Sequence, residues 1–292
     1  MNANRGKAYG YTVTAVLLWS TVATAFKLGL KVMDSGSLLL FSAGFSSAAL
    51  ALVIALRRKK TTVTPEIVLK GAAFGLLNPF MYYLILFKAY SLLPAQEAQP
   101  LNFTWPIVLV LLSTLFLRER LSARDILAMA VCFFGAWVLS SHGVFTGLHF
   151  SSIPGTVLAL GSSLFWAVYW ILNRTFRGDK TLLLFFSLLS GTVYTAIFLG
   201  FTGGIRIPEI GGLAACLYIG LFEMGITFLI WSKALEYAES AVLVSNLLYL
   251  APFISLLFIS MILGENIAPS TIAGLLLIVS GILIQKLGKL AD

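Results

Sequence analysis

The chain reads as an all-α integral membrane protein, with ten transmembrane helices arranged as two inverted five-helix repeats. Three observations predict that class. Of the 292 residues, 59% are hydrophobic and 11% are charged, with a mean hydropathy of +0.95, whereas soluble domains carry about 25% charged residues. Apolar runs of the length that crosses a bilayer as helix, about 17–25 residues, nearly fill the sequence. Finally, Pro106, Glu119 and Gly135 recur as Pro252, Glu265 and Gly281, each 146 positions later. A chain that repeats at its midpoint is two copies of one unit, here 1–146 and 147–292.

The ten runs follow in order. The first, 9–30, is closed by Lys27 and Lys31 with no compact cleavage region after it, so it reads as a span and not as a cleaved signal. The second, 38–56, carries the small-residue stretch GFSSAA, which lets helices approach closely. The third, 67–87, is interrupted by Asn78 and Pro79. Proline removes a backbone donor and frees a carbonyl one turn earlier, which makes a cavity-shaping hinge or a static kink. The fourth, 101–117, opens on LNFTWP, and the fifth, 126–141, contains Cys132 and Gly135. The sixth, 153–172, holds Gly161–Ser163 as a further small-residue site, then Trp166 and Trp170 one turn apart. The seventh, 182–201, has no charge, and the eighth, 210–230, contains Cys216 and Glu223. The ninth, 241–263, carries Pro252, and the tenth, 271–284, carries Ala273, Gly274 and Gly281. All are too long for barrel strands.

The net charge of +8 does not point to nucleic acid, because it is segregated. With the N-terminus inside, fifteen of the twenty basic residues fall on the cytoplasmic side, among them Arg5, Lys7, Arg57, Arg58, Lys59, Lys60, Arg118, Arg120, Arg124, Arg177 and Lys180. The opposite side holds Lys27, Lys31, Lys88 and Arg206. This positive-inside bias predicts a multi-pass protein of the inner membrane with both termini cytoplasmic. Cys132 and Cys216 read as small core residues. They give no disulfide or metal signal.

Further pairs support the repeat: Trp19 with Trp166, Lys27 with Arg174, Gly75 with Gly220, Lys88 with Lys233, and Leu117 with Leu263. Five helices per half would invert the second copy, a construction used by secondary transporters, whose substrate site lies near the midplane between the halves. The alternative is a duplication that yields only a stable bundle.

The segments PIVLVLLSTLFLRERLSARDILAMAVCFFG and PFISLLFISMILGENIAPSTIAGLLLIVSG, with LLWS at 17–20 and FLIWSKAL at 228–235, resemble the EamA repeats of the drug/metabolite transporter superfamily. That resemblance implies a ten-helix carrier without ATPase motors, most often exporting amino acids or related metabolites. LNFTWP is similar to the asparagine–aromatic–x–tryptophan–proline run of the superfamily's aromatic-amino-acid exporters, in which a sixth-helix tryptophan also lines the central cavity. Carried over, this implies Phe103, Trp105 and Trp166 as substrate contacts, with phenylalanine standing at 103 where that pattern has tyrosine.

Glu223 is the most informative single residue. It lies mid-span in the eighth run, where a carboxylate is costly unless it faces a wet cavity or a partner. Asn78 holds the equivalent point of the third run, 145 positions earlier. Glu223 can bind a substrate ammonium, exchange a proton in each cycle, do both, or serve only as a hydrogen-bonded packing residue. Tyr82 follows Asn78 by four positions and shares its helical face. Trp19, Tyr82, Trp105 and Trp166 read either as a cavity lining or as packing. Aromatic rings beside a carboxylate suit an amphipathic amine. Trp231, beside Lys233, reads as an interfacial anchor. Glu119 and Glu265, at the ends of the fourth and ninth runs, read as caps for backbone N–H groups and for the following helix dipole. His142 and His149 are too isolated for a metal site or a pH sensor.

The sequence has no HExxH, phosphate loop or GxSxG elbow, and no second carboxylate at the depth of Glu223. The expectation is therefore a carrier and not an enzyme, without a cofactor. Its partners would be a small-molecule substrate, the lipid bilayer and protons as candidate coupling ion, with the protein a monomer or weak homodimer. Amino-acid export is the favoured function, and proton-coupled import of a cationic amine such as choline is the alternative.

Overall fold

The computed structural model describes residues 2–57, 62–117, 123–141, 151–238 and 247–291. Glu119, Arg58, Lys59, Lys60, Arg118, Arg120, His142 and His149 lie outside the described residues. Every regular element is helical: α1 (Asn2–Val32), α2 (Ser35–Ala55), α3 (Pro65–Gly75), α4 (Tyr82–Leu92), α5 (Ala95–Asn102), α6 (Trp105–Leu117), α7 (Ala123–Ser140), α8 (Ile153–Thr175), α9 (Lys180–Thr202), α10 (Ile210–Ile219), α11 (Ile226–Tyr237), α12 (Ala251–Phe258) and α13 (Pro269–Ala291). Helix starts follow local chemistry. Asp34, Thr64, Ser152 and Asp179 each accept a first-turn N–H with the side chain, satisfying donors a helix leaves unpaired.

The expected ten full spans in two inverted five-helix repeats do not hold. Among the described residues, seven helices are long and apolar enough to cross a membrane: Arg5–Val32, Ser35–Ala55, Pro65–Leu92, Ala123–Ser140, Ile153–Asn173, Lys180–Thr202 and Ile210–Tyr237. The run at 101–117 is not one helix. It begins inside α5 and breaks at Phe103 and Thr104 before the 13-residue α6. Pro106 cannot donate a hydrogen bond back to the preceding turn, so the helix stops there and restarts. Of the ninth run, the described residues form the short apolar helix Leu248–Leu263, and Gly264, at φ 70°, ends it. The tenth yields the apolar stretch Pro269–Ile284, also below span length. Hydropathy counts apolar residues and does not see where proline and glycine divide them. No clean two-repeat inverted arrangement remains.

The likeness between the halves is local. Two spans are each interrupted by six π-helical residues, Leu76–Met81 and Gly220–Gly225. Gly75 and Gly220 stand at these interruptions against the backbone oxygens of Ser187 and Ser42. Any side chain there would collide with main chain, so α3 and α10 are held directly on α9 and α2.

Glycine also sets the α7–α13 pair. A Cβ on Gly274 would lie 2.6 Å from the Gly135 oxygen, and one on Gly281 2.7 Å from the Ala128 oxygen. The repeated Gly135 and Gly281 are thus close-approach positions of the kind membrane helices use. Gly161 is not, since nothing lies within 4 Å of where its Cβ would be. Cys132 and Cys216 are buried and free.

Contacts between distant segments define two ends of the bundle. At one, Arg57 pairs with Asp179 at 3.2 Å and also donates to the Thr181 hydroxyl, while Tyr11 stacks on Tyr237. At the other, the Arg206 N–H donates to Ser37 Oγ, and Lys27 Nζ donates to the carbonyls of Tyr90 and Leu93 at 2.9 and 2.8 Å. There Glu265 caps a helix as expected, but not the one that follows it. Its carboxylate accepts the N–H groups of Ala95 and Gln96 at 2.9 and 3.2 Å, the open N-terminus of α5. Gln96 answers by donating to the Asn266 carbonyl and accepting from the Ala268 N–H and the Thr271 hydroxyl.

Candidate functional site

The candidate site is built on the two π-helical interruptions. Asn78 has extended backbone (φ −144°, ψ 115°) inside the first, because the residue before a proline is pushed out of the helical region. The Asn78–Pro79 peptide bond is cis. Glu223 lies in the second interruption, which ends at Gly225 (φ −117°, ψ −89°). π-Helical segments of this kind widen a helix turn and re-aim its side chains.

Glu223 is half-buried. Its Oε1 accepts the Tyr83 hydroxyl at 2.8 Å. Tyr83 is 1% exposed. The other face of Tyr83 lines a small cavity with Asn78, Pro79, Met224 and Phe228. Asn78 is 5% exposed, and its Oδ1 has no hydrogen-bond partner. Leaving a buried acceptor unsatisfied costs about 1–3 kcal/mol, a cost that a ligand donor would remove. Tyr83 thus bonds Glu223 and shares a small cavity with Asn78.

Four rings continue from this point as a wall. Tyr82 stacks on Trp166 (4.7 Å between centroids, 28° between planes). Trp166 meets Phe228 edge-on at 6.0 Å, and Phe228 meets Trp19 at 5.7 Å. Trp19, Tyr82 and Trp166 therefore belong to one aromatic surface. Trp105 joins it indirectly, stacked at 6.5 Å on Trp170, which touches Trp166. Phe103 turns away and packs edge-on against Tyr249 at 6.1 Å. Trp231 is not an interfacial anchor. It is 5% exposed and packs 6.0 Å from Trp19, because its face of α11 is turned toward α1.

Asn102 of LNFTWP orients the wall. Its Oδ1 accepts the Tyr82 hydroxyl at 3.2 Å, and its Nδ2 donates to Ser162 Oγ at 2.8 Å. Ser162 in turn donates to the Ala159 carbonyl at 2.6 Å. The joint ties α4, the end of α5 and α8 together through one amide.

Tyr83, Phe228 and Asn102 are central here, and sequence reasoning did not single them out as site residues. Counting faces at i+4 from Asn78 selects Tyr82 on the assumption of an unbroken helix. The interruption at Asn78 shifts the register and brings Tyr83, at i+5, onto Glu223. Phe228 had no polar signal at all. Asn102 was visible in the motif as a polar residue just before a proline.

A cavity of about 530 Å³ lies elsewhere and shares no lining residue with the small one. Chemistry, not volume, favours the Glu223 region, which holds a half-buried carboxylate, an unpartnered amide oxygen and a ring wall. Among the described residues no three His, Cys, Asp or Glu side chains converge as a metal site.

Residues 6–141 and 153–285 match the profile of the EamA-like transporter family. The chain is 26% identical to a probable terminal-alkyne amino-acid exporter of Streptantibioticus cattleyicolor, over 95% of this chain and 93% of that one. It is 26% identical to an aromatic amino acid exporter of Ancylobacter novellus, over 84% of this chain and 85% of the other. One solved crystal structure shares the fold with a TM-score of 0.69 at 24% identity, covering 97% of this chain and 99% of that chain.

Proposed function

This chain belongs to the EamA-like transporter family, and from that premise we propose that it exports amino acids bearing aromatic or other apolar side chains. Family membership gives the coarse statement directly: the protein is a multi-pass inner-membrane transporter of small metabolites, not an enzyme. The finer reading is carried by one observation, the half-buried mid-span carboxylate of Glu223 held by Tyr83 at the edge of a stacked aromatic wall. Glu223 receives the substrate ammonium, and Asn78 offers a second acceptor. Trp166, Tyr82 and Trp19 receive the side chain, with Trp105 and Phe103 behind them. Rings and a carboxylate attract an organic cation through stacking and cation–π contact. The names of the two exporters above support amino acids over other metabolites.

In this reading the two π-helical segments are where α3–α4 and α10–α11 bend as access alternates between the two ends. Protons are the coupling ion, competing with substrate for Glu223. Both termini are cytoplasmic, the chain divides into related halves near residue 146, and the working unit is a monomer or weak homodimer.

The test is a ligand screen on purified protein. A ligand that binds only the folded state raises thermal stability with its concentration over Kd. Aromatic and branched amino acids should stabilise the protein, and the same compounds should leave preloaded proteoliposomes faster than from protein-free vesicles. Stabilisation by choline with none by amino acids would favour import of a cationic amine. Stabilisation by neither class would overturn the assignment.

A further inference from the structure

Four basic residues, Lys27, Lys31, Lys88 and Arg206, fall on the side of the protein that the charge distribution assigns to the outside, against the bias of the rest. Lys27 is accounted for. Its ammonium caps the carbonyls at the end of α4. Lys88 and Arg206 have no such employment: no ion pair or side-chain hydrogen bond engages either among the described residues. Both line the 530 Å³ cavity.

That cavity is bounded by the C-terminal ends of α1, α4 and α9 and by the N-terminal end of α2. These are ends of four membrane-spanning helices, so the cavity lies at the level of the lipid headgroups. Its walls divide by chemistry. Leu30, Met33, Leu84, Phe198 and Leu199 form an apolar floor. Val32 and Phe201, next in sequence to the lining residues Met33 and Thr202, are 60% and 88% exposed apolar residues at the same helix ends. Lys88, from α4, and Arg206, from the segment between α9 and α10, are both exposed and line the cavity.

Arg206 is fixed there by its backbone, whose N–H donates to Ser37 Oγ at 3.2 Å, after a turn through Gly203 and Gly204 at positive φ. The one acid in the cavity, Asp34, accepts the Ser37 N–H at Oδ1 as the cap of α2, and its Oδ2 has no hydrogen-bond partner. Two cations therefore face one carboxylate, and the excess is positive. The hydroxyls of Ser91 and Thr202 donate to their own helices, which leaves Lys88 and Arg206 as the charged donors of the rim, beside the Ser35 hydroxyl.

We propose that this groove is a binding site for an anionic phospholipid, with Lys88 and Arg206 holding the phosphate and the apolar floor taking the first carbons of an acyl chain. Arginine and lysine together suit a phosphate, one by a planar fork and the other as a point charge. A soluble anion would use the rim but leave the floor bare, so the lipid is the occupant that matches both surfaces. The site gives the two cations a role that does not involve the transport cavity.

The test uses the full-length protein in neutral detergent. Phosphatidylglycerol, phosphatidylcholine of the same acyl chains, and inorganic phosphate are titrated separately, with apparent Tm and retained lipid by native mass spectrometry as readouts. Phosphatidylglycerol should raise Tm and remain bound, and the other two should not. The Lys88→Gln/Arg206→Gln double variant should weaken that response about thirtyfold, the combined effect of two basic residues at an anionic lipid surface. Its lipid-free Tm should match the parent, and Lys88→Arg should retain binding, which separates lost affinity from lost folding. Equal stabilisation by phosphatidylcholine, or an undiminished response in the double variant, would overturn the proposal. Stabilisation by inorganic phosphate alone would assign the rim to a soluble anion and overturn the lipid.

Discussion

The Tyr83 hydroxyl donates to Oε1 of Glu223 at 2.8 Å, joining residues 140 positions apart. Each belongs to a span interrupted by π-helical turns, and each interruption is seated on a neighbouring helix by a glycine. The contact therefore reports the alignment of α3–α4 with α10–α11 as well as the environment of one carboxylate.

Tyr83→Phe removes the donor and nothing else. Glu223, half-buried, then loses this hydrogen bond, a net loss of about 0.5–3 kcal/mol depending on its charge. The expected result is a lower apparent Tm together with reduced substrate affinity. Unchanged Tm and unchanged Kd would mean that the hydrogen bond is dispensable.

Glu223→Gln keeps the size of the side chain and fixes it as neutral. If the carboxylate carries protons, the variant should exchange labelled substrate across liposomes but fail to concentrate it under an imposed pH gradient. If it binds an ammonium, exchange and binding should fall together, because the buried countercharge is gone. Wild-type binding, exchange and gradient-driven uptake would leave Glu223 as packing only.

Trp166→Ala removes the ring at the centre of the wall, between Tyr82 and Phe228. Loss of a stacking partner costs about 0.5–1.5 kcal/mol beyond area, so substrate Kd should rise several-fold, with Trp166→Phe intermediate. Equal Kd in all three proteins, measured by calorimetry, would make the ring scaffold.

Gly274→Val tests the α7–α13 contact. Its Cβ would lie 2.6 Å from the Gly135 oxygen, and overpacking of this kind costs about 1–3 kcal/mol. Apparent Tm should fall, whereas Gly161→Val, placed where nothing lies within 4 Å, should leave it within a degree or so. A loss of similar size in both would argue against close approach as the cause.

Single cysteines test the sidedness proposed from charge. A cysteine at Arg177, beyond the end of α8, should be shielded from an impermeant thiol reagent in intact cells. One at Ile207, which is 86% exposed near Arg206 at the other end, should label. The reverse pattern would invert the orientation.

Composition and hydropathy alone determined that this chain is helical and lies in a membrane, because apolar residues at this density can be solvated only by lipid and by each other. The depth of Glu223 and the break at Asn78–Pro79 were also legible, since each follows from one residue type at one position. The count of full spans was not. Pro106 divides an apolar run whose hydropathy is continuous, and only the folded backbone shows whether the pieces join. Nor could the sequence bring Tyr83 to Glu223, Phe228 between Trp19 and Trp166, or Glu265 onto the start of α5. Those partners depend on helix register and rotation, which π-helical interruptions reset and which long-range packing decides.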